Sequence, residues 1–105
     1  MPSYAFFKSK FMPLEDAKIG IMTHSFHYGT AIFEGIRGNW NAEKKQTYIF
    51  RMQEHYERLL NGCKVLKIKV AYSMDELCEK TIELVAKCGF QEDNEKQIFT
   101  VFFGN

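Results

Sequence analysis

Hydrophobic positions along this chain fall into blocks of different period, and each period predicts an element. Tyr4 to Phe7 and Lys10 to Pro13 are two short β-prone runs flanking Lys8-Ser9, the pattern of a hairpin. Residues 14 to 20 read as a polar connection. From Ile21 to Trp40 the sequence is densely aromatic and interrupted by Gly29, Gly35 and Gly38, and it fits neither a clean helix nor a clean strand. Asn39 to Gln46 is a polar, charged turn. The β-rich run Thr47 to Phe50 follows it and is expected to pair with the segment before the turn.

The period then changes. Met52, Tyr56, Leu59, Leu60, Cys63 and Leu66 recur at spacings of three and four, which predicts an amphipathic helix over Arg51 to Val65, with Arg58 one step off its apolar stripe. Leu66 to Val70 alternates strictly and suits an extended stretch with one buried face. Ser73 and Glu76 have the spacing of a capping box, so a second helix starts there. Its apolar positions hold the helical period to Cys88, where Gly89 can take the left-handed conformation that ends a helix. Residues Gln91 to Gln97 are polar, and Ile98 to Phe103 is strongly β-prone. Strands and two helices without βαβ alternation predict an α+β fold, a single domain over residues 1–105 with an antiparallel sheet.

Composition narrows the function classes. The chain has 105 residues, 46% of them hydrophobic, and 14 Lys plus Arg against 13 Asp plus Glu give a net charge of +1. Interspersed charges of that balance give no electrostatic footprint for nucleic acid or an anionic membrane. The longest unbroken apolar run, Tyr4 to Phe7, is far short of the roughly 20 residues that span a bilayer. Met1-Pro2-Ser3 offers neither a basic region nor an apolar core of a signal peptide, so a cytoplasmic protein is expected. Cys63, Cys78 and Cys88 are odd in number, lack CxxC spacing and fall on apolar helical positions, the pattern of reduced core thiols. A zinc site built from them with His24, His27 or His55 has no support beyond a bare H-x-x-H.

Chemistry is expected in the aromatic, glycine-interrupted segment. Met22-Thr23-His24-Ser25-Phe26-His27-Tyr28-Gly29-Thr30-Ala31-Ile32-Phe33-Glu34-Gly35-Ile36-Arg37 closely resembles the small N-terminal domain of fold-type IV, pyridoxal-phosphate-dependent aminotransferases, and most of all their branched-chain amino-acid members. Phe7 to Ile19 fits the opening hairpin of that family, and Ile49 to Leu59 fits its following strand and helix. Three such matches in order, within a resemblance spanning residues 4 to about 93, make it specific.

The resemblance implies roles that spacing alone does not. Arg58 matches the arginine that holds the cofactor phosphate, for which a planar, permanently charged guanidinium is suited. Tyr28 and Phe33 match aromatics lining the substrate side-chain pocket, an apolar wall for an aliphatic group. Residue by residue there are plainer readings: an ion pair of Arg58 with Glu54 one helical turn earlier, core packing for Tyr28 and Phe33, and a local pair between Glu34 and Arg37. His24 and His27 are assigned to hydrogen bonding or packing, because the family uses a lysine as its base.

The resemblance also implies what lies elsewhere. Family members carry the Schiff-base lysine and most cofactor contacts in a larger C-terminal domain, and none of the lysines here matches the catalytic position. A substrate-facing tyrosine and arginine expected after residue 93 have no counterpart in Asn94 to Asn105, where no arginine occurs. The expectation is therefore an N-terminal domain or fragment, inactive alone and without tightly bound cofactor. Its parent would use pyridoxal 5'-phosphate to move amino groups from leucine, isoleucine or valine to 2-oxoglutarate. D-amino-acid transamination, aminodeoxychorismate lysis and a non-catalytic dimerisation module are the alternatives. Self-association is expected through aromatic surface around Tyr28, Phe33 and Phe99 to Phe103.

Overall fold

Lys8 and Ser9 adopt left-handed backbone angles (φ 52° and 63°), and this tight turn sets the register of the first hairpin. Strands β1 (Tyr4–Phe7) and β2 (Lys10–Pro13) pair antiparallel, with Phe7 opposite Lys10 and Phe6 opposite Phe11. The computed structural model describes residues 3–89 and 96–104. The reading of Met1-Pro2 as lacking a leader, and most of the polar connection at 91–97, lie outside the described residues.

The aromatic segment resolves into two elements. A short helix, α1 (His24–Tyr28), ends at Gly29, and strand β3 (Ala31–Asn41) follows two residues later. β3 is the centre of a three-stranded antiparallel sheet of order β4-β3-β5, formed with β4 (Gln46–Ile49) and β5 (Lys96–Gly104). The first hairpin is a separate two-stranded sheet, so the fold is α+β as expected but with two antiparallel sheets. Pairing with β5 runs from Ala31 opposite Gly104 to Asn39 opposite Lys96. Pairing with β4 runs from Gly38 opposite Ile49 to Asn41 opposite Gln46.

Gly35 and Gly38 lie inside this strand and make no turn. A Cβ at Gly38 would sit 3.1 Å from the Phe99 ring, so the missing side chain lets Phe99 of β5 close over β3. Asn41 accepts the Lys44 N–H at 3.0 Å through its side chain and fastens the turn before β4. Phe50 falls just outside β4, although its N–H still reaches the Arg37 carbonyl at 2.8 Å.

Helix α2 (Met52–Val65) buries Tyr56, Leu59 and Cys63, and α3 (Met74–Cys88) buries Leu77, Thr81 and Val85. Both bonds of the capping box form, Glu76 N–H to Ser73 Oγ at 3.2 Å and Ser73 N–H to Glu76 Oε1 at 3.1 Å. Gly89 closes α3 at φ 60°. α2 packs on β3, and α3 packs on α2 and β1. Ile36, Tyr56, Leu59 and Leu77 form the buried centre, flanked by Ile32, Val101 and Phe103. Across it, the Tyr56 hydroxyl hydrogen-bonds Thr81, which donates to the Leu77 carbonyl at 2.7 Å.

Two sequence expectations change here. Leu66 to Val70 forms no strand among the described residues. The chain turns back at Lys67 (φ 58°) so that the Ile68 N–H reaches the Cys63 carbonyl, which buries Ile68 and leaves Leu66 exposed. The terminal aromatic run is divided by its strand: Phe99, Val101 and Phe103 are half-buried, and only Ile98, Thr100 and Phe102 are exposed. Among the described residues no helix is long and apolar enough to cross a membrane.

Candidate functional site

α1 and its flanks are tied by polar bonds rather than by burial. The Thr23 hydroxyl donates to the Gly20 carbonyl at 2.7 Å, His27 Nε2 donates to the Ile21 carbonyl at 2.7 Å, and His24 Nδ1 bonds the Thr30 hydroxyl at 2.7 Å. Both histidines thus act as hydrogen-bonding residues, as expected. They present Tyr28 at the end of the helix with its ring 4.7 Å from that of His24 and 74% exposed. Tyr28 is not a core residue of this chain.

Side chains alternate along β3, and the alternation separates the candidates. Phe33 points to the open face, 69% exposed and opposite the exposed Phe102 of β5. Glu34 points the other way, between Ile32 and the fully buried Ile36, and is itself buried. On that side it meets α2. Arg58 donates from Nε to Glu34 Oε2 at 2.8 Å and from Nη2 to Oε1 at 2.7 Å, a side-on bidentate pair. His55 Nδ1 lies 2.7 Å from the same Oε1 and donates to it, since an ionised carboxylate only accepts.

These contacts fix the electrostatics. The Arg58 hydrogen bonds, and after the opposing effect of burial those of His55, hold the Glu34 carboxyl at about 2, well below its ordinary 4.5. Reciprocally, Arg58 is held more firmly protonated by Glu34. The Arg58 side chain is nevertheless 74% exposed, so its head opens to solvent while its partner does not.

Two local pairings that spacing allows do not form. Arg58 turns to Glu34, and Glu54 instead lies 3.5 Å from Arg51. Glu34 and Arg37, three apart on a strand, project to opposite faces. Arg37 stacks over the Phe50 ring at 5.0 Å. Burial pushes the Cys63 and Cys78 thiols up, the behaviour of inert core cysteines. Among the described residues no three His, Cys, Asp or Glu side chains come together as a metal centre.

Sequence reasoning names Glu34 and His55 but misses their partnership with Arg58. The available signals are an acidic residue at an even, core-facing strand position and His55 three residues before Arg58 on one helix face. Neither signal shows that strand and helix face each other. Among the described residues, Arg58, Tyr28 and Phe33 line neither of two cavities of about 610 and 540 Å³, which are walled by other residues, the first by Trp40, Ile49, Met52 and Val85 among others.

The sequence and fold that carry these residues are similar to those of a class of transferases. No protein-family model matches the chain. It is similar, in sequence and fold, to branched-chain amino-acid aminotransferases of fold type IV, in the manner of their small N-terminal domain. It is 54% identical over 90 residues to a probable branched-chain-amino-acid aminotransferase of Aquifex aeolicus, covering 86% of this chain and 29% of that protein. The crystal structure of the Escherichia coli branched-chain aminotransferase superposes with a TM-score of 0.85 at 30% identity, over 100% of this chain and 33% of that one. A third branched-chain aminotransferase, crystallised in complex with N-(5'-phosphopyridoxyl)-L-glutamate, superposes at 0.79 with 27% identity, over 100% of this chain and 41% of that one. The chain therefore spans about a third of the length of the relatives it matches.

Proposed function

We propose that this chain supplies a cofactor-phosphate contact and part of the substrate side-chain wall of a pyridoxal-phosphate-dependent branched-chain aminotransferase, as an N-terminal single domain within a protein of the relatives' full length. The observation that carries this reading is Arg58. Its guanidinium has five N–H donors, two of which are engaged by Glu34, so three remain on an exposed head that fits a phosphate. The relative complexed with a phosphopyridoxyl amino acid supports that choice of anion.

Tyr28 and Phe33 take the second role. Each is a large aromatic left exposed by the fold, as a wall completed by further chain requires, and each offers an aliphatic side chain an apolar surface. The Tyr28 hydroxyl is in addition free to orient a carboxylate or a water. Bound pyridoxal phosphate supplies the electron sink that amino transfer needs, and a lysine is needed to move the proton at the substrate's α-carbon. None of the lysines here matches that lysine, so the 105-residue chain does not transaminate by itself. The same exposed aromatic face, with Phe33 beside Phe102, gives it a tendency to self-associate.

The test of the catalytic reading uses leucine, 2-oxoglutarate and pyridoxal phosphate with the 105-residue chain, followed by borohydride reduction and peptide mass mapping. No turnover and only scattered, substoichiometric lysine adducts are expected. Leucine turnover with one stoichiometric lysine adduct would overturn the reading. Light scattering during size exclusion tests the association, and a 12.3 kDa monomer at high micromolar concentration would refute it.

A further inference from the structure

Glu34 is an anomaly on its face of β3. It lies between Ile32 and Ile36 against α2, where a carboxylate without partners would be strongly unfavourable. Its oxygens are well used: Oε2 accepts from Arg58 Nε at 2.8 Å, and Oε1 accepts from Arg58 Nη2 and His55 Nδ1, each at 2.7 Å. Arg58 is treated differently, because three of its donors have no partner among the described residues and its side chain is 74% exposed. Here the acid is buried and the base is presented.

The geometry of the pair decides which edge is presented. Side-on pairing through Nε and Nη2 consumes the inner edge of the guanidinium, which leaves Nη1 and the second Nη2 hydrogen as an outward fork. That fork matches two oxygens of one phosphate group. Resting on the reading of Arg58 as a phosphate ligand, we propose that Glu34 is a positioning residue, which locks Arg58 by its inner edge so that the outer fork stands ready for the phosphate of a phosphomonoester, with His55 holding the carboxylate in place.

Two effects of Glu34 on an anion oppose each other. Its negative charge repels the anion, by an amount that grows, for charges about 7 Å apart, from roughly threefold across water to tens-fold at the lower effective dielectric of a protein surface. Releasing the long arginine side chain lowers affinity by the fraction of time it spends in the competent rotamer, about tenfold. Glu34→Asp separates the two effects, because it keeps the charge and loses the reach that pairs both guanidinium donors. A merely neutralising partner would leave anion binding unchanged by that substitution.

The experiment follows arginine Nε–H and backbone amide resonances of the ¹⁵N-labelled 105-residue chain at neutral pH while inorganic phosphate is added to the wild type, Glu34→Asp and Arg58→Ala. The aspartate keeps the charge, but its carboxylate is one methylene short of the two-bond pairing. In the wild type, Arg58 Nε–H should exchange slowly before any phosphate is present, and phosphate should shift the resonance. Binding should vanish in Arg58→Ala and weaken severalfold, toward tenfold, in Glu34→Asp. Equal or tighter binding by Glu34→Asp, with Arg58→Ala inert, would overturn the role of Glu34 and leave Arg58 a phosphate ligand. Equal binding by wild type and Arg58→Ala would remove the phosphate reading of Arg58, and the positioning role with it. Should Glu34→Asp fail to fold, the wild type decides: an Arg58 Nε–H exchanging as fast as that of the exposed Arg51, before phosphate is added, overturns the proposal.

Discussion

Acidification should remove a contribution to stability that belongs to Glu34, and Arg58→Ala isolates it. A free glutamate titrates near 4.5 and Glu34 in the fold at about 2, so the folded chain binds fewer protons than the unfolded chain between those values. The contribution is therefore fully present above pH 4.5 and is lost as the pH falls toward 2. Shielded entirely from water, that difference in titration would be worth roughly 3 kcal/mol. Arg58 is largely exposed, and solvent screening brings the expected figure for Glu34 down to about 1–2 kcal/mol. In Arg58→Ala the burial of Glu34 remains and its main compensation is gone, so its carboxyl titrates higher. The variant should be less stable than the wild type at pH 6 and should converge on it as the pH falls to about 2. Urea unfolding followed by far-UV circular dichroism at steps from pH 6 to 2.5 measures the gap. A gap that stays constant over that range would show that Glu34 draws no stability from Arg58.

Other substitutions separate core, cap and surface. Leu59→Ala empties a fully buried position between β3 and α3 and should cost about 2–5 kcal/mol, read as a lowered urea midpoint, whereas a loss below about 1 kcal/mol would mean the core collapses around it. Ser73→Ala removes the first bond of the capping box and should cost about 1 kcal/mol, with faster amide exchange confined to the first turn of α3. Phe33→Ala, on the open face, should leave stability within about 0.5 kcal/mol. In a protein of the relatives' full length the same substitution should change the kcat/KM ratio among aliphatic amino acids, and loss of stability with an unchanged ratio would return Phe33 to a packing role.

The elements with a clean period were the legible ones. α2 and α3 show three- and four-residue spacing, and the capping box and Gly89 mark both ends of α3 without reference to anything distant. The stretch from Ile21 to Trp40 hides its structure because α1 is too short for a helical period and β3 carries Gly35 and Gly38 where other strands carry packed side chains. Leu66 to Val70 alternates like a strand, yet its backbone is spent in closing α2. The candidate site fails to read locally for a related reason. Helical spacing offers Arg58 the nearby Glu54, whereas the fold brings it Glu34 from 24 positions away, already stripped of water and in need of a cation. Strand alternation could have excluded a Glu34–Arg37 pair, but only once β3 is known to be a strand.

The seam between β3 and β5 has a consequence for how the chain reaches its fold. It joins Ala31 to Gly104, 104 − 31 = 73 positions apart, whereas β3 meets β4 across a short turn and each helix closes on itself. Local pieces can form in microseconds, but this seam must wait for the loop that contains both helices to be drawn together. During that interval β3 has one unpaired edge and holds Ile32, Ile36 and Gly38 uncovered, the kind of edge that recruits a foreign strand. Refolding yield should therefore fall with chain concentration more steeply than the equilibrium stability of the finished sheet would suggest.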